Sequence, residues 1–244
     1  MSAAPLSVEH LTVHYDKTAA IWDISFTLQK PSLLAIVGPN GAGKSSLIKA
    51  ILSLVPKSSG RTSFLGKVAY VPQRESVDWS FPITVRELVV MGRYSRLGLF
   101  RRPKQNDYAA ADQLIERVGL SPYKHRQISE LSGGQQQRAF LARALLQEAE
   151  ITFMDEPFIG IDQSTEALLI DILKEMRESG KTVVVVHHNL NAVKKHFDWA
   201  LLLNRCLISF GPVQQALSPE HLERAYGQSF ALLEDALKLS REVE

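Results

Sequence analysis

The stretch Leu33-Leu-Ala-Ile-Val37-Gly38-Pro39-Asn40-Gly41-Ala42-Gly43-Lys44-Ser45-Ser46 begins as an apolar run of strand length and turns at once into a glycine-rich loop. Residues Ser45–Leu54 then carry apolar side chains at helical spacing. Gly38 to Ser45 match G-x-x-x-x-G-K-[ST], and strand, loop and helix in that order are what a phosphate-binding loop requires. The glycines let the backbone wrap closely, with its N–H groups pointing inward. Lys44 has the length to reach β- and γ-phosphates, the Ser45 hydroxyl suits Mg²⁺, and the helix presents its N-terminus to the anion.

Further along, Ile151-Thr-Phe-Met154-Asp155-Glu156 is an apolar strand that ends in two acids. Alone it reads as a capped strand end. Beside a phosphate loop it reads as the carboxylate side of a Mg²⁺ site, because Mg²⁺ prefers carboxylate and phosphate oxygens. Asp155 is the metal-side acid, and Glu156 is placed to accept a proton from an attacking water. The two elements together imply binding of a nucleoside triphosphate with hydrolysis.

The N-terminal segment reads as two short alternating strands, Leu6, Val8, Leu11, Val13 and then Ile21, Ile24, Phe26, Leu28, with turns at Asp16-Lys17 and Lys30-Pro31. Val68–Val71 is a further strand, closed by Pro72. From Thr84 to Leu146 the pattern is helical, in Val85–Met91, Tyr108–Val118 and Gln135–Leu146, interrupted by the basic stretch Arg93–Lys104. Alternation then resumes: strand Ile151–Met154, helix Glu166–Ser179, strand Thr182–Val186, helix Leu190–His196. This predicts an α/β fold with a mainly parallel sheet, an N-terminal antiparallel β-subdomain and an inserted helical subdomain. The expected division is one domain over 1–244, with core residues 1–75 and 147–217, a helical subdomain over 76–146 and a helical tail over 218–244. In the tail, Leu222, Ala225, Tyr226, Leu233 and Leu237 predict a terminal helix packed on the domain.

The 244 residues are 45% apolar and 22% charged, enough for a core and unlike a disordered chain. Lys plus Arg (28) nearly balances Asp plus Glu (26), which argues against a nucleic-acid partner. A single cysteine, Cys206, excludes an internal disulfide framework and a cysteine-cluster zinc site, and fits a reducing compartment. The first residues lack a basic region followed by an apolar stretch, and no apolar run approaches the roughly 18 residues that span a bilayer. If the protein works at a membrane, something else must anchor it.

Leu131-Ser132-Gly133-Gly134-Gln135 opens the helical pattern QQRAFLARALLQE. Ser132 is a natural N-cap, and two glycines leave backbone N–H groups open to an anion. With the phosphate loop upstream and the Asp155-Glu156 strand downstream, this combination resembles the ATP-binding-cassette (ABC) ATPases over nearly the whole chain. The resemblance implies a P-loop NTPase (RecA-like) core and ATP with Mg²⁺ as ligands. It identifies Tyr15 with the aromatic that stacks on adenine, which the residue pattern alone also allows to be a core strand aromatic. It identifies Gln73 with the glutamine that senses Mg²⁺ and water, Gly160-Ile161-Asp162 with the loop at the dimer interface, and His188 with the histidine that contacts the γ-phosphate. The family usually has His-Asp where this chain has His188-Asn189, and His187 then reads as a solvated or core-facing neighbour. The resemblance further implies a head-to-tail homodimer in which Ser132, Gly133, Gly134 and Gln135 of one subunit close over ATP held by Gly38–Ser46 of the other. Ser45, Gln73 and Asp155 would hold Mg²⁺.

Val71–Tyr94, Arg96–Pro103 and Met154–Glu166 look like the corresponding segments of manganese, zinc and iron-type metal importers. The likeness implies an ATPase subunit at the cytoplasmic face of a bacterial inner membrane, working with a separate permease and, indirectly, an extracytoplasmic metal-binding protein. The seven histidines and one cysteine show no ligand spacing for the cargo metal itself. Arg93, Arg96, Arg101, Arg102 and Lys104 read either as a solvated loop or as a contact for lipid head groups or a partner. Trp79, Phe81, Pro82 and Ile83 suit either a permease contact or a packed loop. Rival readings are an iron-chelate or cobalamin cargo, a soluble cassette acting on nucleic acid or ribosomes, and an ATP-binding scaffold without turnover.

Overall fold

The computed structural model describes residues 4–16, 18–97 and 101–227. In chain order its strands are β1 (Leu6–Tyr15), β2 (Thr18–Leu28), β3 (Leu33–Val37), β4 (Ser59–Phe64), β5 (Val68–Val71), β6 (Ile151–Met154), β7 (Thr182–Val186), β8 (Trp199–Asn204) and β9 (Cys206–Pro212). Its helices are α1 (Lys44–Ile51), α2 (Val85–Val90), α3 (Tyr94–Leu97), α4 (Gln105–Arg117), α5 (Gly133–Leu146), α6 (Gln163–Glu178), α7 (Leu190–His196), α8 (Val213–Ala216) and α9 (Pro219–Tyr226). The chain forms two bodies. One comprises the described residues up to Leu65 and from Val184 onward, the other Gly66–Val183.

In the first body, β1 pairs antiparallel with β2 and with β4, so the small sheet runs β2-β1-β4. Its apolar alternation buries Leu6, Val8, Leu11 and Val13 together with Ile21, Ile24 and Leu28. The β3 strand is buried at every position, as a strand covered on both faces must be. It pairs parallel with β8, and β8 turns back into antiparallel β9. Phe210 of β9 stacks between Phe26 and Trp199, each 5.1 Å away between ring centroids. Full burial of aliphatic side chains like those of β3 contributes roughly 1.5–3 kcal/mol each.

In the second body, β5 and β6 pair parallel from Val68↔Ile151 to Val71↔Met154. Helices α2, α4 and α5 pack on one another. The α2 helix starts at a capping box: the Thr84 side chain accepts from the Glu87 N–H while Glu87 accepts from the Thr84 N–H at 2.8 Å. Arg86 binds Asp112 of α4 through two parallel 2.8 Å bonds and stacks 4.7 Å over Tyr108, which fixes the helix pair side by side.

The basic stretch is less solvated than a free loop. Arg93 is largely covered and meets Glu148 at 2.8 Å and Asp107 at 3.6 Å, and Arg96 meets Glu148 at 2.5 Å. Arg101, Arg102 and Lys104 remain exposed at the surface. Trp79 is a packed residue: its Nε1–H donates to the Arg74 carbonyl at 2.9 Å and its ring meets Phe140 edge-on. Phe81 stays 61% exposed. The expected terminal helix begins at its Ser218 cap and ends at Tyr226, while Leu233 and Leu237 lie outside the described residues. No helix among the described residues is long and apolar enough to cross a membrane.

Candidate nucleotide site

The phosphate loop lies between β3 and α1 in the first body. A Cβ at Gly38 would come 2.0 Å from the Leu203 carbonyl oxygen, and one at Gly43 would come 2.5 Å from the Ala20 carbonyl oxygen. The loop is therefore pressed against β2 and the β8–β9 hairpin, and only glycine fits at those two points. Two backbone bonds tie the hairpin in: the Arg205 N–H donates to the Ala42 carbonyl at 2.8 Å, and the Trp22 N–H donates to the Arg205 carbonyl at 2.8 Å. The Asn204 amide holds the end of α9 through the Ala225 carbonyl at 2.9 Å.

Gly43 occupies the cap position of α1 in a left-handed conformation, φ 93°, and no side chain caps the helix. No capping side chain thus stands over the start of α1, as anion binding there requires. Lys44 is buried, and its ammonium donates to the Gly38 and Pro39 carbonyls, each at 2.9 Å. Tyr15, half-exposed, lines one cleft of about 260 Å³ with Ala20 and Gly41–Ser46. Its ring is thus available at the mouth of the phosphate loop and is not a core aromatic.

His187 and His188 point to opposite faces at the end of β7. His187 is buried and His188 is exposed. Asn189, where the resemblance implies an aspartate more usually stands, caps α7: its side-chain oxygen accepts from the Asn191 and Ala192 N–H groups at 2.9 and 3.1 Å. An asparagine caps as well as an aspartate, so the departure leaves this helix start intact.

In the second body, Asp155 follows β6 fully buried, and its N–H extends the ladder to the Val71 carbonyl at 3.0 Å. Glu156 adopts φ +57°, a left-handed conformation that costs a non-glycine residue roughly 1–2 kcal/mol. Such strain persists where the surroundings impose it, as functional sites do. Here the Gln73 side-chain amide donates to the Glu156 carboxylate at 2.8 Å. Tyr70 of β5 was not anticipated. Burial, and then the Asp155 charge, push its phenol up to about 12, so it stays protonated.

Leu131–Gln135, which the resemblance implies is the signature segment of the family, lies in the same body. Ser132 and Gln135 form a reciprocal capping box at the start of α5. Arg74, beside Gln73, donates to Gln136 at 3.1 Å, and Gln136 in turn donates to the Ile128 carbonyl at 3.0 Å. A Cβ at Gly133 would lie 3.1 Å from the Arg74 guanidinium. The Gln73 segment and the signature helix are thus linked by a side chain that motif spacing did not single out. Asp162, expected at a dimer interface, here caps α6: it accepts from the Thr165 N–H and hydroxyl, both at 2.9 Å, and from the Ser164 hydroxyl at 2.5 Å. Those bonds hold its carboxyl well below the usual carboxylate range.

The structure thus brings Tyr15 to the phosphate loop, Gln73 to Glu156, and Arg74 to the signature helix. Residues 21–159 match the sequence model of the ABC transporter family. The chain belongs to the ABC transporter family. This ABC chain is 49% identical over 239 residues to the manganese transport system ATP-binding protein MntB of Bacillus subtilis, covering 95% of this chain and 96% of that one. It is 47% identical over 234 residues to the zinc transport system ATP-binding protein TroB of Treponema pallidum, covering 93% and 88%. Among solved structures, a chain of a transporter described as metal-chelate type, in an inward-facing conformation, superposes with a TM-score of 0.82 at 31% identity, covering 91% of this chain and 88% of that one. A nucleotide-free ATP-binding cassette superposes with a TM-score of 0.75 at 22% identity, covering 93% and 96%, and shares the fold. As an ABC ATPase, the chain binds nucleotide and hydrolyses it to drive transport.

Proposed function

We propose that this chain is the ATP-hydrolysing subunit of an importer for a divalent transition metal, manganese or zinc in the first place and iron next. The observation that carries the hydrolytic part is Glu156: a strained carboxylate at the end of an apolar strand, oriented by Gln73 at 2.8 Å. The likeness to manganese and zinc ATP-binding subunits supports the cargo.

In this reading Tyr15 stacks on adenine, and Gly38, Pro39, Asn40, Gly41, Ala42 and Gly43 wrap the phosphates. Lys44 moves from the loop carbonyls to phosphate oxygens, and Ser46 joins the cradle. Ser45, Gln73 and Asp155 offer hydroxyl, amide and carboxylate oxygens, the hard donors Mg²⁺ takes. The ion when bound would neutralise phosphate charge. Glu156 accepts the proton of the attacking water, while Gln73 orients that carboxylate and His188 meets the γ-phosphate. Ser132, Gly133, Gly134 and Gln135 act on the nucleotide of a second copy, in a head-to-tail homodimer. That dimer sits at the cytoplasmic face of the plasma membrane beneath a permease supplied by an extracytoplasmic metal-binding protein.

A metal-chelate cargo is the second reading, supported by the structural neighbour at 31% identity. Competition between free metal ions and chelates in an uptake assay separates the two.

The test is ATP turnover against protein concentration, for the parent chain and Glu156→Gln. The expected result is a specific activity that rises with concentration, and a variant that binds ATP and dimerises but turns over slower by a factor on the order of 10²–10⁴. Near-parental turnover in that variant removes Glu156 from the base role.

A further inference from the structure

His187 does more than fill space beside His188. Its backbone N–H donates to the Ile36 carbonyl at 3.1 Å, which ties it to β3 just ahead of the phosphate loop. Its ring meets Phe197, at the end of α7, edge-on at 5.7 Å between centroids. Its Nδ1 accepts the backbone N–H of Asn189 at 3.0 Å. The backbone of His187 is therefore tied to the strand, its ring packs against the helix end, and the ring holds the residue after His188 by a directional bond. Asn189 is also the cap of α7, so the same short turn sets where the helix begins.

We propose that His187 is a positioning residue for His188: by accepting the Asn189 N–H it locks the turn that carries the exposed imidazole. The proposal rests on the reading of His188 as the γ-phosphate contact. A bond from Nδ1 as acceptor requires a neutral ring with its proton on Nε2. Burial, with the neighbouring His188 and His196, pushes the imidazole down to about 4, so the acceptor persists at neutral pH. Asn189 is itself exposed, so losing the acceptor would release the turn and leave its N–H to water.

An isosteric pair isolates the acceptor. Thr at 187 can accept an N–H two residues on through its hydroxyl, as in a Ser/Thr turn, whereas Val has the same shape and no acceptor. Both lose the ring equally. Steady-state kcat and KM for ATP are measured on the full-length chain for His187→Thr, His187→Val and His188→Ala, with hydrogen exchange of the Asn189 amide followed by NMR in the first two. The expected result is about a tenfold lower kcat for His187→Val with KM within about twofold, recovery in His187→Thr to within about threefold of the parent, and faster Asn189 exchange in the Val variant alone. Equal loss in Val and Thr, or failure of both to fold, assigns the residue to packing and overturns the proposal. Parental kcat and equal exchange in the Val variant, with His188→Ala impaired, overturn it as well. Parental kcat in His188→Ala overturns the reading of His188 itself, and the positioning role with it.

Discussion

Two helices of this chain begin at glycine-rich segments, and they are built in opposite ways. At α1 the cap position is a left-handed glycine with no side-chain acceptor. At α5 Ser132 and Gln135 satisfy each other's backbone N–H groups. The first glycines are held against neighbouring carbonyls, within 2.0 and 2.5 Å of where a Cβ would sit. A Cβ at Gly134 would meet Ile161 at 3.6 Å and the Thr165 hydroxyl at 4.0 Å, ordinary contacts. The phosphate loop thus leads into a helix with no side-chain cap, whereas the helix that starts at Ser132 carries its own. A phosphate arriving at α5 would find the Ser132 and Gln135 N–H groups already engaged by the cap. That difference suits the proposed role of this segment, engagement of a nucleotide presented by a second subunit.

The comparison breaks most sharply at the glycines. Gly38→Ala is expected to cost about 3 kcal/mol of stability, because its Cβ has rigid backbone to displace. Gly134→Ala is expected to leave the melting temperature unchanged or raised, since alanine favours a helix, while lowering ATP turnover. Paired thermal melts and turnover assays check both, and equal destabilisation would erase the distinction.

Next in size are the polar residues. Lys44→Ala is expected to weaken ATP binding ten- to hundredfold in a single chain, as loss of a charged hydrogen bond does. Ser132→Ala should leave single-chain affinity within about twofold and cost about 1 kcal/mol of stability as a lost cap. Equilibrium titration with a fluorescent nucleotide, below the dimerisation concentration, measures the first contrast. An affinity loss in Ser132→Ala matching that of Lys44→Ala would mean that the signature acts within its own chain.

A smaller effect is expected at Arg74, which joins the Gln73 segment to α5 through Gln136. Arg74→Lys keeps the charge but loses the directional Nε donor, and should lower kcat about threefold with KM for ATP unchanged. The smallest belongs to Tyr70, whose buried hydroxyl has no partner among the described residues. Tyr70→Phe should change stability by less than about 0.5 kcal/mol, or raise it, with turnover intact.

What could be read from residues alone followed from how local the cause was. β5, β6, β7 and α7 fall where their apolar periodicity places them, residue for residue. The phosphate loop was legible because strand, loop and helix are adjacent in the chain. β4, Ser-Gly-Arg-Thr-Ser-Phe, was missed because it is almost wholly exposed and carries no apolar alternation. It is a strand because β1 offers it a ladder, not because of its own side chains. β9 was missed for the same reason, being defined by its hairpin with β8. In the site, residue types were legible and their mutual bonds were not. The Gln73–Glu156 and Arg74–Gln136 contacts join residues 83 and 62 positions apart, beyond the reach of any periodicity. The two adjacent histidines could be split by face, but the bond from Asn189 to His187 needed coordinates.

The hairpin that clasps the phosphate loop also carries the one cysteine of the chain. Cys206 is exposed and directly follows Arg205, whose N–H holds the Ala42 carbonyl. A thiol-reactive dye therefore attaches beside the nucleotide cradle with no engineering of the background. Quenching by Trp22, whose N–H bonds the Arg205 carbonyl, would turn that dye into an optical gauge of how tightly the cradle is gripped from one turnover to the next.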